Sequence, residues 1–147
     1  MSRGWMSLSG EEGGCTPGEK GGGTVLKDII VIDEEPQQGA VMKEFLECHG
    51  YENIRSFDHF GEMMETLTDP GPLLAIVDNE MAGIDGAEML SRLSQRFGRP
   101  VRGIIVTAIT TVPREVAAEY PVVEKGTSEF YSRLLTLVEK WTALPAD

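Results

Sequence analysis

Hydrophobic and polar positions alternate along the chain in two textures. Ile29-Ile30-Val31-Ile32 is a β-branched run that ends at Asp33-Glu34-Glu35, and a continuous apolar run of that length reads as a strand buried on both faces. Over residues 37–49 the apolar positions Val41, Met42, Phe45, Leu46 and Cys48 recur at helical spacing, with Gly50 as the stop signal. Residues 53–57 predict a short strand. Asp58 predicts an N-cap for a helix running to Leu67, with Met63, Met64 and Leu67 turned inward, and Asp69-Pro70-Gly71-Pro72 breaks it.

The second half repeats the alternation. Residues 73–77 predict a buried strand ending at Asp78, and a loop runs from there to Gly86. Residues 87–97 predict a helix with Met89, Leu90, Leu93 and Phe97 inward, closed by Gly98-Arg99-Pro100. Residues 101–106 predict a strand ending at Thr107-Ala108. The stretch 110–120 reads as one or two helical turns, with Pro113 restricting where they begin. Val122-Val123 is a short strand before Glu124-Lys125. Ser128 predicts the cap of a last helix whose Phe130, Leu134, Leu137, Val138 and Trp141 share one face. Five βα units imply a three-layer, doubly wound α/β fold: a parallel five-stranded sheet with helices on both faces and right-handed crossovers.

Residues 1–23 stand apart. They hold eight of the seventeen glycines and almost no apolar periodicity, so burial cannot offset their chain entropy. The expected organisation is a flexible Gly-rich tail over 1–23, one domain over 24–143 and a short tail over 144–147. The whole chain of 147 residues carries 13 Lys+Arg against 24 Asp+Glu, a formal charge of −11. That balance argues against a nucleic-acid surface, which needs clustered cations, and against adhesion to an anionic membrane. Cys15 and Cys48 are too few for a disulfide framework and lack metal-ligand spacing, and Cys48 reads as a small buried hydrophobe. The longest apolar run, residues 73–77, falls far short of the roughly 18 residues of a membrane span. No basic-then-apolar leader opens the chain. The expected location is the cytoplasm.

In sheets of this kind ligands bind beyond the carboxyl ends of the strands, where strand order reverses. The first strand ends in Asp33-Glu34-Glu35, the third in Asp78 with Glu80 and Asp85 following, the fourth in Thr107 and the fifth in Lys125. If the first and third strands are neighbours, three carboxylates (Asp33, Glu34, Asp78) converge, and like charges that close call for a cation. An all-oxygen set favours a hard ion, Mg²⁺. A cation, a lysine and a hydroxyl gathered on one carboxylate are what phosphoryl transfer needs, and an aspartyl phosphate is an established covalent intermediate. Each residue also has a plainer reading: Asp78 as a loop-capping acid, Asp33-Glu34-Glu35 as a solvated turn, Thr107 as a β-former, Lys125 as a surface cation. Glu35 and Asp85 read as solvated or loop-bracing. Met63, Met64 and Met89 read as core filler, and His49 and His59 as surface residues.

These pieces resemble response-regulator receiver domains. Ile29-Ile30-Val31-Ile32-Asp33-Glu34-Glu35-Pro36 is similar to their first strand and acidic pair. Asp78-Asn79-Glu80-Met81-Ala82-Gly83-Ile84-Asp85-Gly86 is similar to their phosphoacceptor loop, and Thr107-Ala108 and Lys125 match the two remaining site elements. The resemblance spans about residues 26–141. It implies the flavodoxin-like strand order 2-1-3-4-5. It also implies Asp78 as phosphoacceptor, with Asp33, Glu34, Asp78 and the backbone carbonyl of Glu80 as Mg²⁺ ligands. Lys125 and Thr107 would hold phosphoryl oxygens, and the small Ala108 would let its N–H approach them. The phosphoryl donor would be a phosphohistidine of a histidine kinase or histidine phosphotransfer protein.

Several positions depart from the family pattern. Glu34 stands where aspartate is commoner, Ala82 and Gly126 replace prolines, and Val122 occupies the place of a switching aromatic. The interval from Thr107 to Lys125 is about one helical turn short, so the fourth helix is expected to be shortened or irregular. Glu80 and Ile109, each two residues past a site residue, are expected to border the path of an attacking water. The chain ends soon after the last helix, so the expected output is protein contact or the shuttling of phosphate in a relay, with no DNA binding by this chain, and not catalytic turnover. Two rival readings are a receiver-like interaction module that works without phosphorylation, and a small aspartyl-phosphate phosphatase. The second lacks an aspartate two residues after Asp78.

Overall fold

The pleat of the strands sorts their side chains into two cores. The structure, a computed structural model, describes residues 28–68, 73–81, 83–108 and 112–143; the expected tails 1–23 and 144–147 lie outside them. In chain order the elements are β1 (Asp28–Ile32), α1 (Pro36–Cys48), β2 (Ile54–Phe57), α2 (Phe60–Thr66), β3 (Leu73–Asp78), α3 (Gly86–Phe97), β4 (Arg102–Thr107), α4 (Arg114–Glu119), β5 (Val122–Glu124) and α5 (Phe130–Ala143). All four strand pairings are parallel, in the order β2-β1-β3-β4-β5. This is the doubly wound sheet and the strand order expected above.

Successive strand residues point to opposite faces. Ile29, Val31, Leu74, Ile76, Ile104, Val106 and Val123 therefore join Met42 and Leu46 of α1 and Phe130, Leu134 and Val138 of α5 in one core. Ile30, Ile32, Leu73, Ala75, Val77 and Ile105 join Met63 of α2, Leu67 and Met89, Leu90 and Leu93 of α3 in the other. β1 and β3 are buried almost throughout because helices cover both their faces.

Local chemistry sets the helix ends. Pro36 opens α1, where its missing N–H is not needed. Asp85 caps α3, its carboxylate accepting the Glu88 N–H at 2.9 Å, and Gly98 closes that helix in the left-handed conformation. Two expected caps move by one residue. The α2 cap is His59, with no side-chain bond, because the Asp58 carboxylate turns to the His59 ring at 3.2 Å. At α5 the first helical N–H, from Arg133, reaches the Glu129 carbonyl at 2.9 Å, one residue past Ser128. Val41, on the expected apolar face of α1, is 48% exposed. Cys48 is half-buried, less enclosed than its reading as a small buried hydrophobe implies.

The fourth helix is reduced, as the short interval implies. α4 has six residues, none of them buried, and starts directly after Pro113. Only Val116 and the following Tyr120 pack against the second core.

Candidate functional site

Strand register brings the chemistry together at the carboxyl edge of the sheet. Ile32 pairs with Val77, Asp78 with Val106 and Thr107 with Glu124. Continuing each strand by one residue sets Asp33 beside Asp78. The Lys125 N–H donates to the Thr107 carbonyl at 2.7 Å, which fixes where the lysine side chain starts. Asp33, Asp78 and Thr107 are all buried, at 1, 3 and 1% exposure.

Lys125 is the cation of the site. Its Nζ lies 3.0 Å from Asp33 Oδ2 and 3.2 Å from Asp78 Oδ1. Burial pushes the Asp33 carboxyl above its ordinary pKa and the Asp78 charge acts in the same sense, against the Glu35 N–H and Lys125. The same burial works against the Lys125 ammonium, but its bond to Asp33 and the charges of Asp33 and Asp78 outweigh it and raise its pKa. The backbone helps to hold both acids. Glu35 N–H donates to Asp33 Oδ1 at 2.9 Å, and Glu80 N–H donates to Asp78 Oδ1 at 3.1 Å.

Glu34 enters differently from expectation. Its side chain is exposed, and it is its N–H that faces Asp78, 3.5 Å from Oδ2. Among the described residues the one group of three acidic or imidazole ligands within 4.8 Å of each other is Asp58, His59 and Glu62, near the start of α2. The expected convergence of three carboxylates is therefore two buried acids, Asp33 and Asp78, around one lysine.

Glu80, expected as a backbone metal ligand and as a residue bordering the path of an attacking water, has its side chain hydrogen-bonded within the site. The Thr107 hydroxyl donates to Glu80 Oε2, and the Ala108 N–H donates to Glu80 Oε1 at 2.8 Å. The sequence carries a faint signal for this: a long acid two residues past the end of one strand can reach the end of its neighbour. Asn79 steadies the loop between. Its N–H reaches the Val106 carbonyl at 2.8 Å, and its Oδ1 accepts the Gly86 N–H at 3.1 Å. Asp85 braces the loop as the α3 cap. Ala82 and Ile109 lie outside the described residues.

Gly126 explains one departure from the family pattern. It takes φ +81°, in the left-handed region that proline, fixed near −65°, cannot enter. The peptide bonds of the described residues are all trans.

The site fits a small divalent cation. Two buried carboxylates share one ammonium, so the group keeps a net negative charge that a hard ion would neutralise. The donors are all oxygen, and Mg²⁺ keeps several waters and needs only one or two carboxylates from the protein.

Among the described residues no helix is long and apolar enough to cross a membrane. The family model of the response regulator receiver domain matches residues 29–124. Among curated proteins the chain is similar to the response regulator GtcR of Aneurinibacillus migulanus, at 35% identity over 83 residues, which covers 56% of this chain and 33% of that one. It is also similar to the virulence factors putative positive transcription regulator BvgA of Bordetella pertussis, at 27% identity over 79 residues, covering 54% and 37%. The matches thus span about a third of the length of these relatives. Among solved structures, a CheY-like receiver domain protein from Methanospirillum hungatei JF-1 superimposes with a TM-score of 0.62 at 21% identity, over 80% of this chain and 94% of that one. That likeness bears on the fold, and the family model bears on the sequence itself: the chain belongs to the response regulator receiver domain family.

Proposed function

We propose that Asp78 accepts a phosphoryl group from a phosphohistidine, carried by a histidine kinase or a histidine phosphotransfer protein, and that the chain passes the signal on through protein contacts in the cytoplasm. The observation that carries this reading is the Asp78 carboxylate, buried at the end of β3 and held 3.2 Å from the Lys125 ammonium. In the transfer an Asp78 oxygen attacks phosphorus in line, the O–P bond forms, and the P–N bond breaks with its electron pair left on the imidazole. Lys125, ion-paired to both acids, is placed to meet the charge on the phosphoryl oxygens. Asp33 keeps that lysine oriented through its 3.0 Å bond. Thr107 and Ala108 are the neutral donors on the other side. Mg²⁺, held by Asp33, Asp78 and the Glu80 backbone carbonyl, would supply further neutralisation of the phosphoryl charge. On this reading the protein is a phosphoacceptor and not a turnover enzyme.

The test is incubation of the chain with a small phosphodonor, such as acetyl phosphate, and Mg²⁺. Acid-labile phosphate is expected on the wild type and is expected to be absent from Asp78→Asn. Equal labelling of the two proteins would remove Asp78 as acceptor, and no labelling of either would favour an interaction module that works without phosphate.

A further inference from the structure

On the phosphoacceptor reading, Thr107 and Ala108 at the end of β4 would hold oxygens of a phosphoryl group on Asp78, and both donors are already engaged. The Thr107 hydroxyl and the Ala108 N–H each bond a different oxygen of one carboxylate, that of Glu80. Glu80 is tied at both ends, since its own N–H donates to Asp78 Oδ1 at 3.1 Å. Its side chain cannot drift far from the acceptor.

Charge explains why the carboxylate settles there. Lys125 is committed to Asp33 and Asp78, so Glu80 is met by neutral donors instead of an ammonium. Hydrogen bonds to an ionised acceptor are stronger than neutral ones. A carboxylate with two oxygens on a hydroxyl and an amide also reproduces part of the oxygen geometry of a phosphoryl group.

We propose that Glu80 is a built-in occupant of the phosphoryl-oxygen site. It holds Thr107 and Ala108 in the arrangement that phosphorylation would impose, and a phosphoryl group must displace it to bind fully. The inference rests on the phosphoacceptor reading of Asp78. Two consequences follow from the chemistry. The unmodified protein already has the β4 end of a modified one. The modified protein gains fewer contacts than it would with a short neutral residue at position 80, because the departing carboxylate gives up two bonds and leaves its charge beside a dianion. Glu80 is a positioning residue here: it acts on the phosphoryl site through Thr107 and Ala108.

Beryllofluoride, which attaches to a carboxylate as a phosphoryl analogue, tests this on the full chain with Mg²⁺. Wild type, Glu80→Gln and Glu80→Ala are titrated and followed by amide NMR. The substitutions leave the backbone carbonyl of residue 80 in place, so the metal ligand assigned to it is unchanged. Beryllofluoride is expected to bind Glu80→Ala at least tenfold more tightly than wild type, with Glu80→Gln between them. In the absence of beryllofluoride the Ala108 amide is expected to exchange faster in Glu80→Ala than in wild type. Equal or weaker binding by both variants overturns the inference, as does an Ala108 amide whose exchange ignores the substitution. Failure of all three proteins to bind beryllofluoride strikes instead at Asp78 as acceptor, and the inference falls with it. Should Glu80→Ala not fold, Glu80→Gln decides by the same two readings.

Discussion

At the scale of single residues, the site is a problem of like charges in a small volume. Asp33 and Asp78 are buried side by side with one ammonium between them. Burial makes the Asp33 charge costly, which raises its pKa. A divalent cation that binds the folded state removes part of that cost. A ligand bound only by the native state stabilises by about 2.7 kcal/mol at a hundredfold excess over Kd. Millimolar Mg²⁺ is therefore expected to raise the melting temperature at constant ionic strength, and Asp78→Asn is expected to reduce the rise. Melting curves indifferent to Mg²⁺ would dispose of the metal site. Glu80 shows how far a sequence can be read at this scale. That its main chain belongs to the acceptor loop follows from its offset from Asp78. That its side chain crosses to Thr107 and Ala108 depends on the β3–β4 register, Asp78 against Val106, which no local pattern states.

At the scale of elements, close approach decides more than propensity. Gly103 of β4 lies directly under Leu90 of α3. A Cβ at position 103 would come within 2.5 Å of Leu90 Cδ1 and 2.6 Å of Cδ2. Leu90 is fully buried, so its side chain must shift within the packed core to make room. Gly103→Ala is expected to destabilise the fold by about 1 to 3 kcal/mol, the usual cost of forcing volume into a packed core. Urea unfolding would measure it, and an unchanged midpoint would show that α3 rides more loosely on β4 than the packing implies. Most elements were legible because their apolar runs are long or regular: the Ile29–Ile32 run of β1, the run into Asp78 in β3, and the helical spacing of Met89, Leu90 and Leu93 in α3. The α2 cap was not legible, because Asp58 had a competing partner in His59. The exposure of Val41 was not legible either, since helical spacing alone does not say how wide a strip the sheet covers.

At the scale of the whole molecule, the question is how a change at Asp78 leaves the site. The usual aromatic switch has no counterpart at Val122, a half-buried residue with one side-chain torsion. Between Thr107 and Lys125 the chain is instead sparsely anchored. α4 is six residues long with none buried, and β5 is three residues long. Segments with few buried contacts open at low free-energy cost, so their order responds to small changes in the strands that carry them. β4 and β5 are paired through Thr107 and Glu124, and the Lys125 N–H bonds the Thr107 carbonyl. Exchange of the Glu80 carboxylate for a phosphoryl group at Thr107, together with movement of Lys125 toward that group, therefore acts on both ends of the α4 connection. Residues 109–111 of that connection lie outside the described part. Hydrogen exchange with and without beryllofluoride and Mg²⁺ is expected to show protection changes in residues 112–124 that exceed those in α1 and α2. α1 is the control, because Met42 and Leu46 anchor it in the first core and it contributes no side chain to the site. Changes confined to α1 or α2, with residues 112–124 silent, would mean that the signal leaves through the other end of the sheet and that the short fourth helix is not the part a partner reads.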